Sequence, residues 1–187
     1  MNIDMTLSRK LNLGCGTDIR AGWVNLDKAS IDGVDVVHDL DSGKLPFSDE
    51  SFDLILCNDV IEHIDYFPVL SECHRVLSSG GRLVIEVPHF SSNNCYVDPT
   101  HKHGFSVKTF NFFVENTYEG MNRSYYFDFK FTSIKECHLG FETRFPFLWN
   151  LPICWVVNMN RKLMGFYEAT GLVYLFPATN ISVTLVK

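Results

Sequence analysis

Six cysteines stand in the 187-residue chain, yet no two of them are spaced C-x-x-C. That removes the usual zinc-ribbon and dithiol signatures. No apolar run reaches the ~18–20 residues of a membrane-spanning helix. The longest candidate, Phe145 to Val157, is interrupted by Pro146, Asn150 and Pro152. Met1 is not followed by a basic and then apolar leader. Together these absences predict a cytoplasmic protein without a membrane span. Cys15, Cys57, Cys73, Cys95, Cys137 and Cys154 would be free thiols, most of them small core hydrophobes. A basic excess is missing too: 16 Lys and Arg face 22 Asp and Glu, a net charge of −6. Bulk nucleic-acid binding wants the opposite balance. No repeat or low-complexity tract appears.

What is present is a chain of single-domain length, 46% hydrophobic, enough to bury a core without staples. We read residues 1–187 as one domain with two unlike halves. Residues 1–90 hold 7 basic and 15 acidic side chains, and residues 91–187 hold 9 and 7. Of 26 Phe, Trp and Tyr residues, 21 lie between Phe90 and Phe176.

The first nine residues read as a loose arm. Short apolar runs bounded by turn formers predict strands at 10–13, 23–27, 34–37, 52–57 and 82–87. Phe67, Leu70, Cys73 and Leu77 are spaced 3, 3 and 4, one face of a helix over 66–77, with Ser78-Ser79-Gly80-Gly81 ending it. Beyond Pro88 the expectations are a helix at 107–116, a hairpin from 125–131 and 134–139, a helix at 158–167 and a closing strand at 180–186. The whole predicts an α/β fold with a Rossmann-like, mostly parallel doubly wound sheet, an antiparallel C-terminal strand and an aromatic-rich lid.

In such a sheet ligands sit at the carboxyl ends of the strands. Gly14-Cys15-Gly16 lies there, directly after the first strand, where a chain without Cβ atoms can turn tightly and approach a ligand. Asp27 ends the second strand and could accept both hydroxyls of a ribose. Asp39 follows the third, where a carboxylate could meet an adenine amino group. The third glycine of G-x-G-x-x-G is missing, its place taken by Ile19, and Asp27 follows Gly16 too soon for a phosphate-binding helix between. A nucleoside without a pyrophosphate fits better than a dinucleotide. A tight turn beside a surface aspartate would give the same residues.

The ordered series Leu11-Asn12-Leu13-Gly14-Cys15-Gly16, Gly22-Trp23-Val24-Asn25-Leu26-Asp27, His38-Asp39-Leu40, Leu45-Pro46-Phe47, Asn58-Asp59-Val60-Ile61-Glu62-His63 and Arg75-Val76-Leu77 through Gly80-Gly81-Arg82-Leu83 resembles the class I S-adenosylmethionine-dependent methyltransferases. The likeness covers roughly residues 9–90. It is strongest to a small variant with a shortened first crossover, associated with glycan and small-molecule pathways, and extends weakly through Phe166 to Val183. It implies S-adenosylmethionine as cofactor, becoming S-adenosylhomocysteine. Asn12, Gly14, Cys15 and Gly16 would hold its methionine and ribose part, Asp27 the ribose hydroxyls, Asp39 and Leu40 the adenine, and Asn58 would stand near the sulfonium. Residues 9–90 would then be the cofactor half and 91–187 the lid, substrate region and closing strands. Ser79 departs from the family, where a proline is usual.

Methyl transfer to a hydroxyl needs an aligned acceptor and a base. Asp98-Pro99-Thr100-His101-Lys102-His103 resembles a D-P-x-H segment of the same group. His101 is the candidate base, with His103 or Asp98 orienting it, although a plain surface turn would also account for these residues. A metal on Asp98, His101 and His103 lacks an obvious fourth ligand, and none is expected. Glu62-His63 usually starts a helix in relatives and reads as structural. Tyr96, Phe105, Tyr125 and Tyr126 are candidate acceptor contacts, since rings stack on sugars or bases; the remaining rings read as core and lid. The expected partner is a small-molecule or glycan acceptor, and a homodimer through the aromatic half is the further expectation. Two alternatives stay open: an NAD-dependent oxidoreductase, and a non-catalytic module that keeps this fold for binding.

Overall fold

The structure, a computed structural model, describes residues 9–187. The expected N-terminal arm lies outside the described residues except for Arg9. That residue is held: its guanidinium meets Asp53 at 2.6 Å, and its carbonyl accepts from the Asp53 amide.

Seven strands form one sheet. They are β1 (Lys10–Leu13), β2 (Val24–Asp27), β3 (Val36–Val37), β4 (Phe52–Asn58), β5 (Leu77–Pro88), β6 (Ser133–Phe141) and β7 (Ala178–Val186). Their order is β3-β2-β1-β4-β5-β7-β6. The first five run parallel, and β7 is antiparallel to both of its neighbours. Strand order reverses at β1, which lies between β2 and β4, so the ends of these three strands face a topological switch point. Parallel pairs usually need a helical crossover of a dozen or more residues. Here β1 reaches β2 through turns alone, as the short spacing between Gly16 and Asp27 implies.

The helices are α1 (Tyr66–Val76), α2 (Asn94–Val97), α3 (Tyr118–Asn122), α4 (Asn150–Val157), α5 (Arg161–Glu168) and α6 (Leu172–Leu175). The helix expected at 66–77 is α1, but its buried face is Tyr66, Val69, Leu70, Cys73 and Val76. Phe67 is partly exposed and lies against Phe127 and Phe113. Arg75 ties α1 to the loop before β4. It donates to Glu72, to Asp49 and to the carbonyls of Leu45 and Phe47, while Glu72 also accepts from the Leu45 amide.

Three expectations fail locally. The 78–81 segment is not a loop after the helix: β5 begins at Leu77, and Gly80 donates to the Lys187 carbonyl while Lys187 donates to Gly81. The chain end supplies a partner that keeps these residues extended. The helix at 107–116 shrinks to a 3-10 turn over Thr109–Phe113. The hairpin does not form either. Residues 124–126 are a 3-10 turn and β6 pairs with β7 instead, because β7 offers a full-length open edge. Phe105, Phe110, Phe113 and Phe131 are buried, and the Phe105 and Phe110 rings stack at 5.9 Å. Ring packing rather than a backbone period organises this stretch.

The two halves share one apolar core that runs through both. They are also joined by a buried polar link. His89, just past the end of β5, meets Glu168 of α5 at 3.1 Å, and the same carboxylate accepts from the Val107 amide at 2.7 Å. Among the described residues no helix is long and apolar enough to cross a membrane.

Candidate active site

The carboxyl ends of β1, β2 and β4 open onto a cleft of ≈ 180 Å³. Gly14 forms its floor with a left-handed φ of +67°. A Cβ on that residue would lie 2.5 Å from Val60 Cγ2, so only glycine leaves the chain there free of collision. Gly16, also left-handed at +48°, faces no neighbour but turns its amide to Asp27 Oδ2 at 2.8 Å. The other oxygen of Asp27 accepts from the Ala29 amide at 2.8 Å. Two backbone donors thus fix a carboxylate on the cleft wall, and each oxygen retains acceptor capacity. Asp39 stands across the cleft and caps the turn at 40–42 through the Asp41 amide. Leu40, Val60 and Ile64 supply apolar wall.

Of the residues expected to hold the cofactor, Gly14, Asp27, Asp39 and Leu40 line this cleft. Cys15 and Asn12 stand behind it, buried. The Cys15 amide bonds the Leu26 carbonyl, and Asn12 donates to the Asp18 carbonyl and to Asn25. Gly16 acts on Asp27 rather than on the cleft wall. Asn58 sits at the end of β4 beside Glu86. The donor set suits a nucleoside: paired carboxylates for hydroxyl and amino groups, an apolar slot for a flat base, and a glycine that admits close approach. Lys28, Asp59, Val60, His63 and Ile64 complete the wall. The sequence reading missed these five and Asp41, which also lines the cleft, because they belong to turns whose direction has no periodic signal.

A second cleft, ≈ 330 Å³, adjoins the first and shares Asp59 and His63 with it. Its other walls include Glu62, Asn94, Asp98, His101 and Asn180. Two bonds staple the 98–103 loop onto the loop after β4: Lys102 N to the Glu62 carbonyl at 2.7 Å, and His103 Nε2 to the Ile64 carbonyl at 3.1 Å. That stapling brings His101 against His63, with ring centroids 4.6 Å apart. It also turns His103 away, packed edge-on to Tyr66. Asp98 accepts from the Thr100 amide and hydroxyl at 2.8 and 2.6 Å, and Thr100 Oγ1 meets His63 Nδ1 at 2.8 Å. Asp98 therefore orients His63 through Thr100, not His101. His101 Nδ1 bonds the Cys95 carbonyl at 3.2 Å.

Glu62, read from the sequence as structural together with His63, lies buried against the second cleft. It is 1% exposed, and neither carboxylate oxygen has a hydrogen-bond partner. Burial, with Asp59 and Asp98 nearby, pushes its carboxyl up to about 7. Burial also lowers the His63 imidazole, helped by His101, and raises the Asp59 carboxyl, helped by Glu86. Asp59 adopts a left-handed φ of +50°, a conformation that costs a non-glycine residue about 1–3 kcal/mol and tends to persist at functional sites. One donor atom each from Glu62, His63 and His101 lies within 4.8 Å of the others.

The rings proposed as acceptor contacts lie elsewhere. Phe105 is 1% exposed in the core. Tyr125 and Tyr126 are exposed, packed on each other beside Arg123. Tyr96 is exposed and bonds the Phe90 carbonyl. None of the four lines either cleft.

Residues 7–85 match the family model of the methyltransferase domain. An uncharacterised protein of Methanocaldococcus jannaschii is 46% identical over 43 residues, a match taking in 23% of this chain and 19% of that protein. A crystal structure of a SAM-dependent methyltransferase from Archaeoglobus fulgidus superposes with a TM-score of 0.57 at 20% identity, over 96% of this chain and 86% of that one. The [4+2]-cyclase SpnF is similar in fold as well, with a TM-score of 0.56 at 16% identity over 96% of this chain and 74% of its own. These structural likenesses show the fold; the reaction has to be argued from the clefts.

Proposed function

We propose that the chain, whose residues 7–85 match the methyltransferase-domain model, is a class I S-adenosylmethionine-dependent methyltransferase that methylates a hydroxyl of a small-molecule or glycan acceptor seated in the second cleft. The observation that carries this reading is the pair of adjoining clefts with Asp59 and His63 on both walls. A cofactor in the first cleft and an acceptor in the second would meet at those residues.

The cofactor, when bound, supplies a methyl group on a positively charged sulfur that leaves as a neutral thioether. Asp27 and Asp39 would hold its ribose and adenine, with Gly14 beneath. The acceptor's oxygen forms the new bond to the methyl carbon as the carbon–sulfur bond breaks, and the sulfur keeps that electron pair. The hydroxyl proton must go to a base. His101 is suited to take it: the Cys95 carbonyl holds Nδ1, which leaves Nε2 with its lone pair in the neutral ring. Asp98 and Thr100 set the orientation of His63 beside it. A rim bearing Asp59, Asp98 and Glu62 favours a neutral or cationic acceptor over a phosphate-bearing one.

The exposed rings and aliphatic side chains between Phe145 and Leu175 are the surface on which a second copy of the chain would dock, and light scattering across a dilution series reads that directly. The function itself is tested with S-adenosylmethionine labelled in its methyl group and a panel of sugars and polyols. The reading requires label on an acceptor hydroxyl, and His101→Ala lowering turnover while S-adenosylhomocysteine affinity stays within about twofold. Saturable NAD binding with none of S-adenosylhomocysteine would favour an oxidoreductase instead. Cofactor binding without transfer to any acceptor would leave a binding module.

A further inference from the structure

We propose that Glu62, His63 and His101 form a binding site for a divalent transition-metal ion at the mouth shared by the two clefts. The inference rests on the reading above for the position of the acceptor, but not for the identity of the base.

Three independent observations meet there. Two imidazoles and a carboxylate lie within 4.8 Å of one another, a nitrogen-rich set that suits Mn, Fe, Co or Zn better than Mg or Ca. The carboxylate is buried and unpartnered at both oxygens. A buried carboxylate in that state costs several kcal/mol unless something compensates it, and a cation is the compensation its surroundings lack. The third observation is the outer layer. Metal-binding histidines nearly always donate their other ring nitrogen to an oxygen that fixes tautomer and orientation. His101 Nδ1 meets the Cys95 carbonyl, and His63 Nδ1 meets the Thr100 hydroxyl, itself held by Asp98. The Nε2 of each ring is left to bind.

Three protein ligands leave open positions, as in catalytic rather than structural sites. An acceptor hydroxyl taking one of them would have its pKa lowered by the ion, so that it loses its proton to solvent before attacking the methyl carbon. His101 is then a ligand, and the ion takes over the task otherwise left to the ring. An acceptor with two adjacent oxygens would chelate the ion and be aligned by it.

The test uses the full chain, stripped with a chelator and titrated with Mn²⁺ followed by electron paramagnetic resonance. One saturable Mn²⁺ per chain is expected. Glu62→Gln and His63→Ala should each lose at least tenfold in affinity. Thr100→Val removes the partner of His63 together with its bond to Asp98, leaves the three ligands in place, and should lose about 10–100-fold. His138→Ala, on β6 and outside both clefts, should lose nothing. Far-ultraviolet circular dichroism and thermal unfolding on every variant report that the fold survives. Absence of saturable Mn²⁺ binding, or binding that the cluster variants leave unchanged, overturns the proposal. If S-adenosylhomocysteine binds and Mn²⁺ does not, the cation site fails while the methyltransferase reading stands. The reverse result keeps the cation site and removes the cofactor reading.

Discussion

Gly14 and Val60 are in such close apposition that the glycine cannot carry a side chain: the Cβ it lacks would fall 2.5 Å from Val60 Cγ2 and 3.0 Å from Cγ1. Val60 in turn is wall to the first cleft, where the cofactor is proposed to bind. The turn after β1 and the turn after β4 therefore set each other's position, and the cleft floor depends on both.

Gly14→Ala should consequently be far more damaging than Gly16→Ala. Both positions are left-handed, so each substitution carries a backbone cost of about 1–2 kcal/mol. Only Gly14 adds a collision. Thermal unfolding should show the larger loss for Gly14→Ala, and calorimetry should show weakened S-adenosylhomocysteine binding in that variant. Equal losses at the two sites would mean that Val60 relaxes freely.

Asp27→Ala removes the acceptor for the Gly16 and Ala29 amides as well as the carboxylate facing the cleft. Charge-assisted hydrogen bonds contribute about 1.5–3 kcal/mol, so cofactor affinity should fall roughly 10- to 100-fold. Asp27→Asn, which keeps one acceptor oxygen, should lose less. Calorimetry with S-adenosylhomocysteine compares the two.

Glu72 is held below its ordinary carboxyl pKa near 4.5, first by Arg75 and then by the Leu45 amide. A group whose folded pKa is depressed contributes stability above its unfolded pKa and loses it as pH falls through the folded value. Above about pH 5, Glu72→Gln should lower the melting temperature, with a loss on the order of 1–3 kcal/mol for the half-buried pair and its amide bond. The gap to the unaltered chain should close as the pH falls below 4.5. A gap that stays constant in acid would assign the effect to packing instead.

Tyr167 is buried in α5. Its hydroxyl donates to the Phe176 carbonyl at 2.7 Å and accepts from the Ala178 amide at 2.9 Å. Tyr167→Phe strands the Phe176 carbonyl and leaves the Ala178 amide only Ser91 Oγ at 3.2 Å, and should cost about 1–3 kcal/mol in urea unfolding. Since Tyr167 lines neither cleft, S-adenosylhomocysteine affinity should be unchanged.

The first half of the fold was legible because its signals are local. β1, β2, β4 and β5 are apolar runs ended by turn formers, and Gly14, Asp27 and Asp39 announce themselves by falling at or just past three strand ends. Ser78 to Gly81 misled because a glycine pair after a helical period looks like a helix stop, whereas the partner that keeps the segment extended is Lys187, over a hundred residues away. Phe105, Phe110 and Phe113 carry no usable period, since their positions come from rings meeting across the core. The Glu62, His63 and His101 cluster has the same origin. His101 returns to His63 through the Lys102 and His103 bonds to the 62–64 turn and the Thr100 bond to His63, and no spacing rule encodes that closure.

The central claim is that the cleft over Gly14 binds S-adenosylmethionine through Asp27. Calorimetric titration of the unaltered chain and of Asp27→Ala with S-adenosylhomocysteine tests it most directly. The account predicts one site per chain, weakened at least tenfold in the variant. No saturable binding to the unaltered chain, or equal affinity in the two proteins, would contradict it.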